Sequence, residues 1–361
     1  MNRQISSLCL KRLPEASILQ SARRRCLATV SSSLIVQPPP PPPPPVEFPV
    51  ERSRELPESV PPLLDHRILQ ATSKPGRTTL TKIIKEYVNT SGKVLDLALP
   101  YESRPSEARR PDFTNEIDSC KNVVTVAHCA QVGTEHKITL SSGFALNIDD
   151  RKAVAKGETL IVTCAHTLEE IRQSPLLVTP VHGTTKKYTG SFIVTGTGAA
   201  LEVYPVSHVL SALPRSDLIL LSCPLPPNAM NSLPLSPYPA HKDTPIRAHF
   251  VAQEKPDDTG WMPWIGGTWG KWHHGKVLGY RDFAGRETEP GTYDALSHLL
   301  FTPLPTAGSS GGPIVDEESG AVIGVMLGTR MDNRVEGVRG WGVPAESVFE
   351  MFSLPGLEGK K

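Results

Sequence analysis

The stretch Thr306-Ala307-Gly308-Ser309-Ser310-Gly311-Gly312-Pro313-Ile314-Val315 places serines among glycines. A serine that attacks a carbonyl creates an oxyanion, and backbone N–H groups can close on that oxyanion only where glycine lets the main chain approach. Ser310 is therefore the candidate nucleophile. A flexible Gly/Ser turn would be spelled with the same letters, so the rest of the chain has to decide.

A nucleophilic serine needs a histidine to take its proton and a carboxylate to hold that histidine in the right tautomer. Upstream, Thr163-Cys164-Ala165-His166 ends the apolar run Leu160 to Val162, and Ser216-Asp217 opens the run Leu218 to Leu221. His166 lies 51 residues before Asp217, which lies 93 before Ser310. The order His, Asp, Ser with gaps of about 45 and about 93 is that of the general serine-protease template. Three motifs in one order are far more specific than any of them alone.

On the residues TCAH, SDLILL and GSSGGP the chain resembles the trypsin-like (chymotrypsin-fold) serine proteases, over roughly Ser119 to Phe352. Within them it is most similar to the high-temperature-requirement (HtrA-like) group, through Ser142-Gly143-Phe144 and the GxSGGP loop. The resemblance implies that the N–H groups of Gly308 and Ser310 form an oxyanion hole. It places Leu304, six residues before the nucleophile, at the base of the pocket for the side chain preceding the cut bond. Leucine there implies a small or aliphatic side chain, while Asp332 or Glu336 could still reach the pocket and favour a basic one. It also makes Val325 to Thr329, including Leu327 and Gly328, the edge that pairs with the substrate backbone. Nine residues follow Phe352, so the PDZ module usual in that group is expected to be absent.

A second histidine competes for the base. His128 lies in VTVAHC, but 89 residues before Asp217, and the polar segment Glu102 to Lys121 ahead of it supplies none of the strands expected there. His166 is preferred, with Val123 to Ala127 read as the first barrel strand and His128 at its end.

With 38 basic against 37 acidic residues, the net charge of +1 gives no argument for nucleic acid or an anionic membrane. Cys9, Cys26, Cys120, Cys129, Cys164 and Cys223 show no CxxC spacing, which favours a reducing compartment. Cys164 reads as a small buried residue. His273-His274 lacks further ligands at metal spacing, so no metal or other cofactor is expected.

Residues 1–30 are basic, serine-rich and nearly free of acids, the composition of a mitochondrial targeting presequence. Residues 31–115 follow as a linker and accessory extension. Pro38 to Pro45 form a polyproline rod serving as a spacer, and Leu80, Ile83, Ile84 and Tyr87 predict an amphipathic helix that packs on a barrel or covers the cleft. Short apolar runs then alternate with turns. They predict an all-β fold of two antiparallel six-stranded β-barrels, residues 116–225 and 226–355, with a short C-terminal helix over Ala345 to Phe352. The runs include Leu176 to Thr179, and the tryptophans between Trp261 and Trp272 read as buried in the second barrel.

His166 and Asp217 would then come from the first barrel and Ser310 from the second. The expected function is a mitochondrial serine endopeptidase acting on protein or peptide substrates, without nucleic acid or membrane insertion, and with oligomerisation open. The competing reading is a silent scaffold that binds a partner through the same cleft, and a third is an enzyme inhibited by its own extension.

Overall fold

The computed structural model describes residues 63–114, 120–148, 157–179, 186–198, 200–292 and 295–356. The expected presequence, the polyproline rod and the start of the extension fall outside these residues.

Two helices open the described chain, α1 over Leu63–Ser73 and α2 over Leu80–Asn89. α2 forms where the apolar spacing predicts it, and the Thr79 side chain accepts a hydrogen bond from the Lys82 N–H at its start. α1 carries a weaker stripe, because its inward positions are Leu64, Ile68 and a threonine, Thr72. After α2 the chain makes a short strand, β1 (Leu95–Ala98).

The first barrel uses β2 (Val124–Val132), β3 (Glu135–Leu146), β4 (Thr159–Cys164), β5 (Lys187–Thr197), β6 (Ala200–Pro205), β7 (His208–Leu213) and β8 (Leu218–Cys223). Their order is β6-β5-β2-β3-β4-β8-β7. β6 and β7 are halves of one bent stretch. At the bend the Val206 N–H donates to Ser191 O and the Ser207 N–H to Ser222 O, both at 2.9 Å, which draws the two ends of the sheet together into a ring. β8 is buried at every position and β4 at all but its first, so both read as unbroken apolar runs.

The second barrel follows a minor strand, β9 (Ser232–Leu233). Its strands are β10 (Pro245–Ala252), β11 (Met262–Pro263), β12 (Trp269–Arg281), β13 (Glu287–Thr288), β14 (His298–Thr302), β15 (Pro313–Asp316), β16 (Val322–Asn333) and β17 (Gly337–Pro344). Six of them close a ring, β10-β15-β16-β17-β14-β12, because β12 returns to pair with β10. A short helix, Glu346–Phe349, and β18 (Phe352–Ser353) follow. The fold is all-β, as expected, with few helices.

Both barrels use the extension as packing. From α2, Leu80, Ile83 and Tyr87 enter the first barrel's core beside Val126, Leu168 and Ile219. Glu86 Oε2 accepts from the Val209 N–H at 3.0 Å, fastening α2 to β7. Leu64 and Ile68 of α1 join a cluster that holds Ala127 and Phe192 of the first barrel together with Val251 and Trp264 of the second. β1 pairs in parallel with β18. Of the two placements expected for the helix at Leu80, the structure shows packing on the barrel.

Three local expectations fail. Leu176 to Val178 belong to a short helix, Pro175–Val178, started by Ser174 and by a proline at its first position. His128 sits in the middle of β2 rather than at its end, since Cys129 to Val132 continue the pairing with β3. The terminal helix is one turn, because Phe352 is taken up by β18. The strands β7 and β17 went unread, their apolar residues being interrupted by His208, Ser211, Arg339 and glycines.

Candidate active site

Asp217 opens β8 in the left-handed conformation, φ 53°, which turns its carboxylate back across the end of β4. One oxygen, Oδ1, accepts from the Ala165 N–H at 3.0 Å, and the other, Oδ2, meets His166 Nδ1 at 2.6 Å. The carboxylate thereby fixes the imidazole, with Nδ1–H donating and Nε2 left to exchange a proton. The Asp217 hydrogen bond raises the His166 pKa, and a contact from Cys164 adds to it. His166 also begins the helix His166–Arg172, whose inner face is Thr167, Leu168 and Ile171. Tyr87 of α2 packs into the same core cluster as Leu168 and Ile171 of this helix; burial, and the nearby Glu169 carboxylate, push its phenol up to about 12.

Ser310 approaches from the second barrel, in the turn before β15. Two bonds cross the seam to hold this turn: the Ser142 N–H donates to Ser310 O at 2.7 Å, and Ser142 Oγ to Gly308 O at 2.9 Å. Beneath them Ser309 is fully buried. Its hydroxyl accepts from the Val251 N–H at 2.9 Å and lies 2.9 Å from Thr306 Oγ1. Gly311 has φ +83°, and a Cβ there would stand 2.2 Å from Ser142 O and 2.4 Å from Thr163 Oγ1. Only glycine fits where the two barrels touch. Gly308 is likewise left-handed, φ +87°, and neither its N–H nor that of Ser310 meets an acceptor among the described residues. Both are free to bind an oxyanion.

The last few ångströms of the triad are not closed. Ser310 Oγ donates to Leu327 O at 2.9 Å, and His166 Nε2 faces Cys164 Sγ at 3.7 Å. The structure thus brings His166, Asp217 and Ser310 to one seam, with the hydroxyl turned onto its own barrel.

The edge expected over Val325 to Thr329 needs correction at one end. Val325 is fully buried and paired on both sides, with Pro313 of β15 and Val343 of β17. β15 stops there, and Met326 exchanges main-chain bonds with Gly311 and Gly312. From Leu327 onward β16 is paired to β17 alone, so Leu327, Gly328 and Thr329 form the open edge beside Ser310. Leu304 is 49% exposed, too open for a buried pocket floor. Asp332 accepts two bonds from Arg281 at 2.9 Å, and Glu336 pairs with Arg339.

His128 is a core residue. It is fully buried, its Nδ1 lies 2.8 Å from Ser191 Oγ, and burial lowers its pKa to about 4. Cys129, Cys164 and Cys223 are free thiols, all buried. His274 meets Glu317 at 3.2 Å, while His273 packs against Phe250 and Trp261. Trp264 and Trp272 flank the buried His249. Ser142, Thr306 and Ser309 are the supporting residues that sequence reasoning missed as such. Only the Ser-Gly-Phe string hinted at the first.

Residues 141–325 match the trypsin-like peptidase domain, which is just over half of the chain. The chain belongs to the trypsin-like peptidase family. No curated protein matches this trypsin-like chain. Among solved structures it is similar to Deg5, at 14% identity over 67% of this chain and 92% of that one, with a TM-score of 0.41. The active form of the Rv3671c protease from M. tuberculosis shares 18% identity over 71% and 88%, TM-score 0.39. The MamO protease domain from Magnetospirillum magneticum shares 14% over 64% and 95%, TM-score 0.37. Among the described residues of this trypsin-like chain, no helix is long and apolar enough to cross a membrane.

Proposed function

We propose that this chain is a serine endopeptidase that hydrolyses protein substrates through an acyl-enzyme. The observation that carries the reading is the 2.6 Å contact between His166 and Asp217 at the seam where Ser142 holds the Ser310 turn. Ser310 Oγ attacks the scissile carbonyl while His166 Nε2 takes its proton, forming an ester and passing the proton to the departing amine. Water then attacks the ester with His166 again as base, and Ser310 regains its proton. Asp217 orients the imidazole, and the N–H groups of Gly308 and Ser310 hold the oxyanion of both tetrahedral intermediates.

Leu327 has a place in this scheme. A substrate strand laid along the open edge of β16 donates its own N–H to Leu327 O, taking the acceptor that Ser310 now uses. The hydroxyl is then released toward His166. The two carboxylates that could have favoured a basic side chain at the cut bond are engaged by Arg281 and Arg339, so the reading keeps an uncharged one, small or aliphatic. The basic leader of residues 1–30 supports a mitochondrial address, to be checked by import of the full chain into isolated mitochondria.

A second reading, a binding scaffold without turnover, is favoured by the hydroxyl's engagement with Leu327 rather than His166. Fluorophosphonate labelling separates the two. Labelling of the unaltered protein that vanishes in Ser310→Ala and His166→Ala supports the peptidase; an unlabelled protein, with or without peptide present, supports the scaffold.

A further inference from the structure

Beyond Ser310, β16 keeps its open edge as far as Asn333, and its exposed cation stands on that edge. Arg330 lies 4.3 Å over the ring of Trp341, which is itself stacked on His298 with centroids 4.3 Å apart. The neighbouring acids are already taken. Asp332 is held by Arg281 through two bonds at 2.9 Å, and Glu336 by Arg339. Among the described residues no carboxylate pairs with Arg330. Its cross-strand neighbour is another arginine, Arg339. The guanidinium is thus fixed by an aromatic face while its N–H donors stay open, a geometry suited to a carboxylate.

The register tells which part of a substrate would meet it. A strand added antiparallel to β16 places the residue before the cut bond beside Leu327, next to Ser310. The second, third and fourth residues before the cut then lie beside Gly328, Thr329 and Arg330. Residues directly opposite one another in an antiparallel pair share a face. Gly328 pairs with Trp341 and Arg330 with Arg339, so these residues share one face with the second and fourth substrate positions. Gly328 offers no side chain to the second position, leaving the ring of Trp341 as its floor.

We infer that Arg330, stacked on Trp341, selects an acidic side chain at the fourth residue before the cut bond, so that the substrates are peptide segments carrying Asp or Glu there. The inference rests on the peptidase reading for the register, while the recognition itself needs only binding.

The test uses two measurements on matched peptides that carry Glu, Gln or Lys at that position. With active protein, kcat/KM is expected to favour Glu over Gln by roughly fivefold to tenfold in low salt, the advantage shrinking at high ionic strength. Arg330→Glu should reverse the order in favour of Lys, read as the Glu-to-Lys ratio of kcat/KM within the one variant. With Ser310→Ala protein, fluorescence anisotropy should show the same ranking in Kd. Cleavage of all three peptides at equal rates overturns the inference and leaves the peptidase reading intact. Tighter binding of the Glu peptide without cleavage by the unaltered protein keeps the recognition and removes the peptidase. Equal binding of the three peptides, or binding of none, overturns the inference.

Discussion

The two barrels contribute to the site in different states of readiness. In the first, His166 is locked to Asp217 at 2.6 Å, and the carboxylate is locked in turn by the Ala165 N–H. In the second, the Ser310 hydroxyl is bonded to Leu327 of its own barrel. On the peptidase reading proposed above, the base is set before substrate arrives, whereas the nucleophile is set by what the substrate displaces. Preorganisation on that reading is uneven, and such an enzyme would gain selectivity from the half that has to be switched.

The largest effects should break the locked half and the nucleophile together. Ser310→Ala or His166→Ala should lower peptide hydrolysis by at least about 10⁴-fold, and Asp217→Asn by about 10⁴-fold through the wrong tautomer. The same pair sets the pH profile. The working base is the neutral imidazole, and Asp217 raises its pKa. Activity should therefore climb with pH along an acid limb above the ordinary histidine value of about 6.5. A limb at or below that value would show that Asp217 does not hold the ring in solution.

Next comes the contact between the halves. Gly311→Ala puts a Cβ into Ser142 O and Thr163 Oγ1, and a displacement of about 1 Å at the nucleophile is worth about 10²-fold in kcat. Steady-state kinetics on the folded variant check this, and a loss under threefold would mean that the seam can shift freely.

Each barrel also buries one neutral histidine, His128 in the first and His249 in the second, their pKa values lowered by burial to about 4 and about 3. Unfolded, both regain protons near pH 6.5, so the unfolded state binds more protons below that pH and stability falls as pH drops toward 4. Each can contribute up to about 1.4 kcal/mol per pH unit across that window. Urea midpoints at pH 7 and pH 4.5 should show the loss. His249→Phe, which keeps a ring between Trp264 and Trp272, should reduce it. An unchanged pH dependence in that variant would place the acid sensitivity elsewhere.

Smallest is the trim of one bond across the seam. Ser142→Ala removes the hydroxyl's bond to Gly308 O but keeps the Ser142 N–H on Ser310 O, so a cost of about 1 kcal/mol, roughly fivefold in kcat/KM, is expected. A larger loss would mean that Ser142 Oγ, rather than the main chain, carries the alignment of the turn.

What the sequence disclosed follows the same division. The pairing of His166 with Asp217 was legible because one residue follows and the other precedes an apolar run, and the barrels because β4, β8, β10 and β15 are short, largely apolar runs between turns. The edge that holds Leu327 was read through the resemblance, but the bond from Ser310 to Leu327 O and the bond from the Ser142 N–H to Ser310 O were hidden because they use main-chain groups that every residue type possesses. The edge was misread at Val325 for a related reason: where β15 stops pairing is set by three-dimensional register and not by residue type. Leu304 shows the limit of position counting, since six residues before a nucleophile can end on an exposed loop. α1 was missed because its inward stripe is completed by Thr72, whose hydroxyl bonds to Ile68 O within the helix.

The clasp of β1 on β18, and the helices ahead of it, give the chain a ratchet against shortening. Among the described residues, shortening the chain from Leu63 onward would strip buried surface at Leu64, then at Ile68, Leu80 and Ile83, all 3% exposed or less, and finally at Leu95, whose N–H is bonded to Met351 O. Each of these apolar side chains resists removal by roughly 1.5–3 kcal/mol of lost burial. Among the described residues, Leu64 is the first whose loss uncovers apolar core, so from that point on shortening and unfolding become one process.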